Sequence, residues 1–278
     1  MRFKIRQPNK QQDNLEPIGS SAIFGSVGIV LRRIAAKYHE LGLFGLLSLV
    51  PKNLRRLAQI YVDLKYDREH GIKTASYTYL DELMIDNPNK KFGIRYQPTT
   101  HKRMRAMFGN LPKDLSEFTF VDFGSGRGRV MLFASQFNFR CVVGVEFSEE
   151  LHRSALENVA ATATHPRRCK NIQPLNLDAT SYQLPESALV LYFFDPFRGS
   201  VMQQVLDNIR RSYLESPRKI YLMYLAPVHE DLVEATGIFK RMATPPLPHE
   251  YSLPNQYRFA LWETESRPEQ TGISGELR

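Results

Sequence analysis

The chain has 278 residues, 42% of them hydrophobic, and a formal net charge of +8. This length allows a sizeable buried core, in one large domain or in one domain with an extension. The composition is that of a soluble globular protein. The two cysteines, Cys141 and Cys169, are too few for a disulfide framework, and we expect Cys141 to be a buried thiol because it lies in an apolar run.

The positive charge is concentrated near the N-terminus. Residues 1–60 hold ten basic and three acidic side chains, a net charge of +7, whereas the other 218 residues hold 27 basic and 26 acidic ones. The main body therefore has no charge excess that would recruit an extended nucleic acid. The basic segment also contains the apolar run 41–50, which suits contact with an anionic membrane surface, a partner or nucleic acid. Its helical spacing suits equally an extension that packs on the main domain, which is the interpretation we favour.

Neither of the longest apolar runs is a candidate membrane span. The runs 22–31 and 41–50 are shorter than the ~20 residues that a transmembrane helix needs. A long polar stretch precedes the first run and no small-residue cleavage site follows it, so a secretory signal is not expected. We expect a cytoplasmic protein, with peripheral membrane contact through the basic segment as an option.

Periodicity and turn residues organise the chain before the main domain. The spacing over 22–70 predicts helices, with Pro51 separating one from the next. Turn residues over 71–100 predict a loop with short helical pieces. The predicted parts are a flexible N-terminus (1–20), a basic helical extension and lid (21–110), a main domain (111–265) and a flexible tail (266–278).

Strand and helix patterns alternate after Pro112. Short apolar runs joined by helices are typical of a parallel sheet covered on both faces. The sequence therefore predicts an α/β fold, a three-layer sandwich around a mostly parallel, doubly wound (Rossmann-like) sheet. The predicted strands are 118–123, 141–146, 172–177, 188–194, 219–225 and 257–263, and the predicted helices are 128–137, 149–162 and 199–215.

The turn after the first predicted strand is rich in glycine. Gly124, Gly126 and Gly128 remove Cβ atoms where the backbone turns sharply into a helix and a ligand can approach closely. Ligands of such sheets bind beyond the carboxyl ends of the strands, so this turn is a candidate ligand site. The dinucleotide fingerprint G-x-G-x-x-G/A requires glycine or alanine at the position of Arg129, which disfavours a nicotinamide or flavin cofactor.

Acidic residues end three successive predicted strands. Asp122 precedes the glycine turn, Glu146 ends the second strand, and Asp178 follows the third. A carboxylate at the position of Glu146 can accept both hydroxyls of a ribose. Its alternative role as the cap of the next helix is less expected, because Ser148 is the better cap.

The pattern acid-x-Gly-x-Gly-x-Gly resembles the first motif of class I S-adenosylmethionine-dependent methyltransferases. Three further stretches extend the resemblance over about 61–263: YDREHGIKT and GIRYQPT before the first strand, and YFFDPF after the fourth. Together they resemble a group of bacterial class I methyltransferases of unassigned substrate. Some features are similar to small protein-lysine methyltransferases.

The resemblance implies S-adenosylmethionine as the cofactor. Asp122 would meet its ammonium group, Glu146 its ribose, and Asp178 its adenine amino group. The residues assigned to cofactor binding in this way are Asp122, Gly124, Ser125, Gly126, Gly128, Glu146, Phe147, Asp178 and Ala179.

The stretch after the fourth strand would lie beside the methyl group. It matches only in part the Asp/Asn-Pro-Pro-aromatic signature of methyltransferases that modify nitrogen, because it contains one proline. Asp195 and Tyr96 are the predicted catalytic residues, and His229 is a weaker candidate. Alternatively, Asp195 caps a helix or forms an Asx turn. Aromatic residues could wall the methyl site, although at least one of Phe193 and Phe194 should belong to the core.

The predicted function is methyl transfer to an acceptor, among which a protein lysine or another amine is favoured. No metal is expected, because the histidines and cysteines show no ligand spacing. Two other functions stay open, a nicotinamide-dependent oxidoreductase and a non-enzymatic module that binds a nucleotide or a partner.

Overall fold

The computed structural model describes residues 57–247 and 258–265. The chain divides into two units, Met1–Leu54 and Arg55–Arg278, and all of the described residues belong to the second. The predictions for the flexible N-terminus (1–20), for the extension up to residue 56 and for the tail (266–278) lie outside the described residues.

The described residues form one seven-stranded sheet. Its strands are β1 (Phe118–Phe123), β2 (Cys141–Glu146), β3 (Ile172–Asn176), β4 (Ala188–Phe194), β5 (Ile220–Leu225), β6 (Phe239–Met242) and β7 (Phe259–Thr264). The strand order is β3-β2-β1-β4-β5-β7-β6. Strands β1 to β5 pair in parallel, and β7 runs antiparallel to both β5 and β6. The order changes direction between β1 and β4, which is where a sheet of this kind opens a crevice for a ligand.

Helices cover both faces of this sheet. They are α1 (helical from the first described residue, 57–70), α2 (His101–Phe108), α3 (Arg129–Ala134), α4 (Glu149–Ala161), α5 (Gly199–Glu215) and α6 (Glu230–Ala235). Two separate clusters of buried apolar side chains fill the layers, one with Ile209 and Trp262 and the other with Met104 and Phe133. The predicted three-layer α/β sandwich is therefore confirmed.

The central strands form because their residues are apolar on both sides. β1 and β5 have the sequences FTFVDF and IYLMYL, and nearly every residue in them is buried. Such continuous runs are typical of parallel strands between two helical layers. Both Cys141 and Cys169 are buried free thiols, as expected for Cys141 from its apolar surroundings.

The sequence analysis missed α2, α6 and β6. The edge strand β6 has the sequence FKRM, and charged residues suit an edge strand but hide it from a search for apolar runs. Helix α3 is shorter than the predicted 128–137. Gly128 precedes it in a left-handed conformation and the helix ends at Ala134, so its first residue is Arg129.

The segment before the sheet contains two short 3₁₀ helices, Leu80–Glu82 and Pro88–Phe92, which confirms the predicted loop with helical pieces. Within 57–247 and 258–265, no helix is both long enough and apolar enough to cross a bilayer.

Candidate active site

The glycine turn follows β1 and leads into α3. Gly124, Gly126 and Gly128 all have positive φ values, +78°, +53° and +80°. A side chain is disfavoured in this left-handed region, so the backbone requires these glycines. A Cβ at position 126 would also lie 2.1 Å from Cδ2 of Tyr96, and one at position 124 would lie 2.9 Å from Cβ of Pro196. The turn is thus closely covered by the segments that precede β1 and follow β4.

Glu146 lies against this turn at the end of β2. Its Oε2 accepts the amide N–H of Gly126 and its Oε1 accepts that of Ser148, both at 2.9 Å. Each oxygen keeps a further acceptor position. Burial raises the pKa of Glu146 to about 7, although the hydrogen bonds from Ser148 and Gly126 lower it. Ser148, and not Glu146, caps α4 through the amide of Leu151, as the sequence predicted.

Asp122 pairs with Gly144 in the register of β1 and β2, so it lies on the strand beside Glu146 and two residues further from the strand end. It is also buried. Burial, and secondly the charge of Glu146, raise the pKa of Asp122 well above its usual value. Among the described residues, the ion pairs include neither of these two carboxylates. A positive charge placed between them would favour their ionised forms, so the pair suits a cationic ligand.

Both carboxylates line a cavity of about 470 Å³ at the carboxyl ends of the parallel strands. Its walls come from the glycine turn, from the ends of β2, β4 and β5, and from the segment 94–99. Gly124, Ser125, Phe147, Asp195 and Tyr96 line it as well. Most of the residues predicted from sequence are therefore brought to one cavity.

A smaller cavity of about 40 Å³ adjoins the first and shares Gly124, Phe147 and Pro196 with it. Asp178 and Ala179 line this smaller cavity. Its walls, between β2, β3 and α5, are mostly apolar.

The carboxylate of Asp178 is already bonded within the protein. Its Oδ1 accepts the amide and the hydroxyl of Thr180, and its Oδ2 accepts the side-chain amides of Asn87 and Asn89 at 2.9 and 2.8 Å. Although burial raises the pKa of Asp178, these four hydrogen bonds hold it below its usual value. Asp178 thus fastens the segment 87–89 beside the smaller cavity, and its predicted contact with an adenine amino group stays a prediction.

Asp195 follows β4 with a φ of +41°, which is rare for a residue other than glycine. Its Oδ2 lies 2.7 Å from the guanidinium of Arg198, and its buried Oδ1 has no hydrogen-bond partner among the described residues. Burial raises the pKa of Asp195 to about 6, against the opposing charge of Arg198. Asp195 does not cap α5, because Arg198 occupies the N-cap position.

Tyr96 covers the glycine turn, and its hydroxyl points away from it. The hydroxyl donates to the carbonyl of Thr74 at 2.8 Å, and burial raises the pKa of Tyr96. The backbone of Tyr96 pairs with Thr78 in an isolated antiparallel bridge. This geometry makes Tyr96 a fixed wall of the larger cavity, and its catalytic role stays a prediction.

The remaining aromatic and histidine candidates lie at different places in the structure. Phe194 lines the larger cavity, Phe197 lines the smaller one, and Phe193 is fully buried in the core. His229 is the N-cap residue of α6, and the neighbouring residues Ala226 and Val228 line the larger cavity.

The sequence analysis treated Arg129 only as a departure from the dinucleotide fingerprint. The Arg129 guanidinium is buried and lies 2.6 Å from Asp63 and 3.5 Å from Asp67, both on α1. It also donates to the Thr74 hydroxyl at 3.1 Å, while Thr74 and Ala75 donate backbone N–H groups to Asp67.

Because the carbonyl of Thr74 accepts the hydroxyl of Tyr96, a continuous chain of polar contacts joins α1 to the cavity wall. The spacing of Asp63 and Asp67, four residues apart, was the one signal for this network in the sequence, because it places both acids on one face of the helix.

Comparison with known proteins finds similarity in structure but not in sequence. No family model matches the chain, and no curated protein matches its sequence.

Three similar solved structures are methyltransferases by their descriptions. A Bacillus subtilis tRNA methyltransferase, TrmK, has 13% identity and a TM-score of 0.43, covering 60% of this chain and 67% of its own. A precorrin-6y C5,15-methyltransferase of Geobacter metallireducens has 14% identity and a TM-score of 0.43, covering 67% and 95%. A SAM-dependent methyltransferase of Aquifex aeolicus has 17% identity and a TM-score of 0.41, covering 54% and 84%.

The fold is Rossmann-like by this chain's own strand order. At these identities, and with TM-scores below 0.5, the likenesses assign no acceptor to the chain.

Proposed function

We propose that the chain is an S-adenosylmethionine-dependent methyltransferase. The observation that carries the proposal is the pair of buried carboxylates, Asp122 and Glu146, which flank a turn of left-handed glycines, line one cavity and form no ion pair within the described part of the chain. A ligand with two positive charges, on a sulfonium and an ammonium, complements such a pair. An anionic pyrophosphate would be repelled by it.

The residues present fit this cofactor. Asp122 would hold the ammonium group, and the remaining acceptor positions of Glu146 would take the ribose hydroxyls. The adenine ring would lie beside Phe147, where the smaller cavity adjoins the larger one. Gly124 lines both cavities, and a side chain at Gly124 or Gly126 would displace Pro196 or Tyr96, which form the cavity wall.

S-adenosylmethionine supplies a methyl group on a positively charged sulfur, already activated for in-line displacement by a nucleophile. The chain's own part is then to position and desolvate the acceptor, for which effective molarities of ~10⁵ M or more are physically reachable. Among the described residues, no group of three or more histidine, cysteine, aspartate and glutamate side chains could hold a metal ion.

Asp195 supports an amine as the acceptor. Its unpaired Oδ1 can accept a hydrogen bond or a proton, while Arg198 fixes the other oxygen. With a pKa raised to about 6, the carboxylate is mostly ionised at neutral pH and can accept a hydrogen bond from the N–H of an amine. A protein lysine is one such acceptor. A fixed carboxylate in the wall of the larger cavity would orient it.

Calorimetric titration with S-adenosylmethionine tests the cofactor. We expect the purified chain to bind it, and Glu146→Ala and Gly126→Arg to weaken binding by at least about tenfold. Glu149→Ala is the matched control, because Glu149 is exposed on α4 three residues further along the chain. A folded wild-type chain that binds no S-adenosylmethionine would reject the proposal.

The acceptor is tested by incubating a cell extract with the chain and a donor that carries an isotopically labelled methyl group. Label that is sensitive to protease and is recovered as methyl-lysine supports the amine acceptor. Label that is sensitive to nuclease contradicts it. Donor hydrolysis with no labelled acceptor would favour a module that only binds the nucleotide.

The nicotinamide alternative has no support in the site. Arg129 occupies the place of the third small residue and is held in buried ion pairs, and Asp122 lies where a pyrophosphate would bind. An absorbance titration with reduced nicotinamide cofactors should therefore show no binding.

A further inference from the structure

Helix α1 buries acidic side chains and exposes apolar ones, the reverse of an ordinary surface helix. Its buried face carries Asp63 and Asp67, each 5% exposed and each ion-paired with Arg129. Its outer face carries large apolar side chains: Leu57 is 61% exposed, Tyr61 64% and Leu64 54%. A surface helix normally buries its apolar stripe and exposes its charges.

The exposed apolar residues form a continuous stripe. Leu57, Tyr61 and Leu64 follow one another at four and three residues, so they share a face of the helix. Lys65 lies one turn beyond Tyr61, and Arg68 lies one turn beyond Leu64. Both of these basic residues are exposed. Glu69 is exposed as well and lies 3.7 Å from Lys65, so the margin of this apolar face carries two basic residues and one acidic residue.

This concentration of exposed apolar side chains is local. The part of the chain that the structure describes has nine large exposed hydrophobic residues, and four of them lie within the eight residues 57–64. The other five are spread over four separate segments: Tyr79, Met84, Leu156, Leu214 and Val228. Isolated exposed apolar residues are normal, whereas a contiguous group marks an interaction surface.

Rotation of α1 cannot hide the stripe. The buried ion pairs of Asp63 and Asp67 with Arg129 fix which face points inward, because turning the two acids outward would leave the Arg129 guanidinium buried without its partners. The stripe therefore stays on the outside of the described part of the chain, available to a partner.

We propose that the outer face of α1 docks on an anionic lipid bilayer, with the helix lying in the interface. Charge complementarity favours this partner: the residues up to 60 carry a net charge of +7, Lys52, Arg55 and Arg56 precede the helix, and the apolar run 41–50 lies just before them. A second copy of the chain is less suited, because a two-fold contact through this face would bring the same basic residues together.

The docking surface does not depend on the reaction that the cavity carries out. Its readout is vesicle binding and not methyl transfer, so a failure of the proposed function would leave it in place.

Co-sedimentation of the full chain with vesicles tests the proposal. We expect binding to phosphatidylcholine vesicles that contain about one third phosphatidylglycerol, and little binding to pure phosphatidylcholine. The variant L57Q/L64Q should lower the partition coefficient by about tenfold or more, because it removes apolar side chains from the interface. The matched control L156Q/L214Q changes two leucines of similar exposure on α4 and α5 and should bind like the wild type.

A second pair of variants tests Lys65 and Arg68, the two basic residues at the edge of the apolar stripe. K65Q/R68Q should lower the partition coefficient by about tenfold and flatten its dependence on salt. K170Q/R211Q removes the same charges from exposed positions elsewhere and should have little effect.

Three outcomes would overturn the proposal. One is no binding of the wild type to anionic vesicles. Another is unchanged binding by L57Q/L64Q. The third is a dimer in size-exclusion chromatography that L57Q/L64Q converts to a monomer, which would identify a second copy as the partner.

Discussion

At the scale of single residues, two features of Gly126 each exclude a side chain: its backbone conformation and its close approach to Tyr96. Its φ of +53° disfavours any other residue, and its α-carbon faces the ring of Tyr96. Gly237 has a similar φ of +69° but has no other atom within 4 Å of a Cβ position. The two glycines therefore separate the cost of the backbone conformation from the cost of the close approach.

We expect Gly126→Ala to be more harmful than Gly237→Ala. Both substitutions should lower the free energy of unfolding by about 1–2 kcal/mol through the left-handed backbone. Gly126→Ala should add roughly 1–3 kcal/mol, because Tyr96 must move. It should also weaken S-adenosylmethionine binding, which Gly237→Ala should leave unchanged. Urea denaturation and calorimetry measure the two effects, and equal losses of stability would contradict the role given to Tyr96.

The raised pKa of Glu146, about 7, makes ligand binding depend on pH. Near pH 6.5 the free carboxylate is mostly protonated, and a bound cation would favour its ionised form, so binding should release protons. Affinity should therefore increase as the pH rises through about 7 and then level off. Calorimetry in buffers of different ionisation enthalpy measures the proton release. Glu146→Gln should release fewer protons, and an unchanged release would contradict the assignment.

At the scale of elements, α1 and the glycine turn are joined by Arg129. The first residue of α3 is ion-paired with two acids on α1, and Thr74 links the same cluster to Tyr96. A buried charge without its partner is costly. The helix before the main domain thus supports the cavity from behind, without contributing to its lining.

Arg129→Met should lower the free energy of unfolding by about 3–5 kcal/mol, because Asp63 and Asp67 would stay buried without their cation. Arg153→Met is the control, since the pair of Arg153 with Glu149 is exposed and should cost at most about 1 kcal/mol. Chemical denaturation compares the two. Similar losses would show that the buried pair is not what fixes α1.

Sequence patterns predicted the elements that are continuous and apolar. β1, β2 and β4 have the predicted bounds, and α5 has the predicted range 199–215. The missed elements are short, and β6 carries charges because it lies at the sheet edge.

The candidate site was predictable as far as local motifs determine it. The left-handed glycines and the strand-end acids follow from rules of turn and sheet geometry. The ion pairs of Arg129 join residues more than sixty positions apart, and no local spacing rule encodes such a pairing. The same holds for the bonds of Asn87 and Asn89 to Asp178.

At the scale of the whole molecule, buried acids give the fold a particular dependence on pH. Glu146 is raised from 4.5 to about 7 and Asp195 from 3.8 to about 6. Between the unfolded and folded pKa values, the folded state holds protons that the unfolded state has lost. The stability that these groups contribute is present below the unfolded pKa and is lost as the pH rises through the folded one.

The free energy of unfolding contributed by these groups should therefore fall as the pH rises from about 5 to about 7.5. Urea denaturation at several pH values measures it, and the double variant E146Q/D195N should flatten the curve over this interval. Asp178, whose pKa is lowered, acts in the opposite sense and loses its contribution as the pH falls through its folded pKa. If the free energy of unfolding changes equally between about pH 5 and 7.5 in the wild type and in E146Q/D195N, that result would contradict the burial of these two acids.

Two residues other than glycine have left-handed backbones in the described ranges, Asp195 and Ala226, and both line the larger cavity. Each conformation costs about 1–2 kcal/mol that a glycine would avoid. Selection for heat resistance should therefore favour Ala226→Gly. This substitution would make the fold more stable and the backbone at the cavity rim less rigid. Stability and precise positioning of the cavity rim therefore make opposite demands on position 226, and a screen for stability alone would make that positioning less precise.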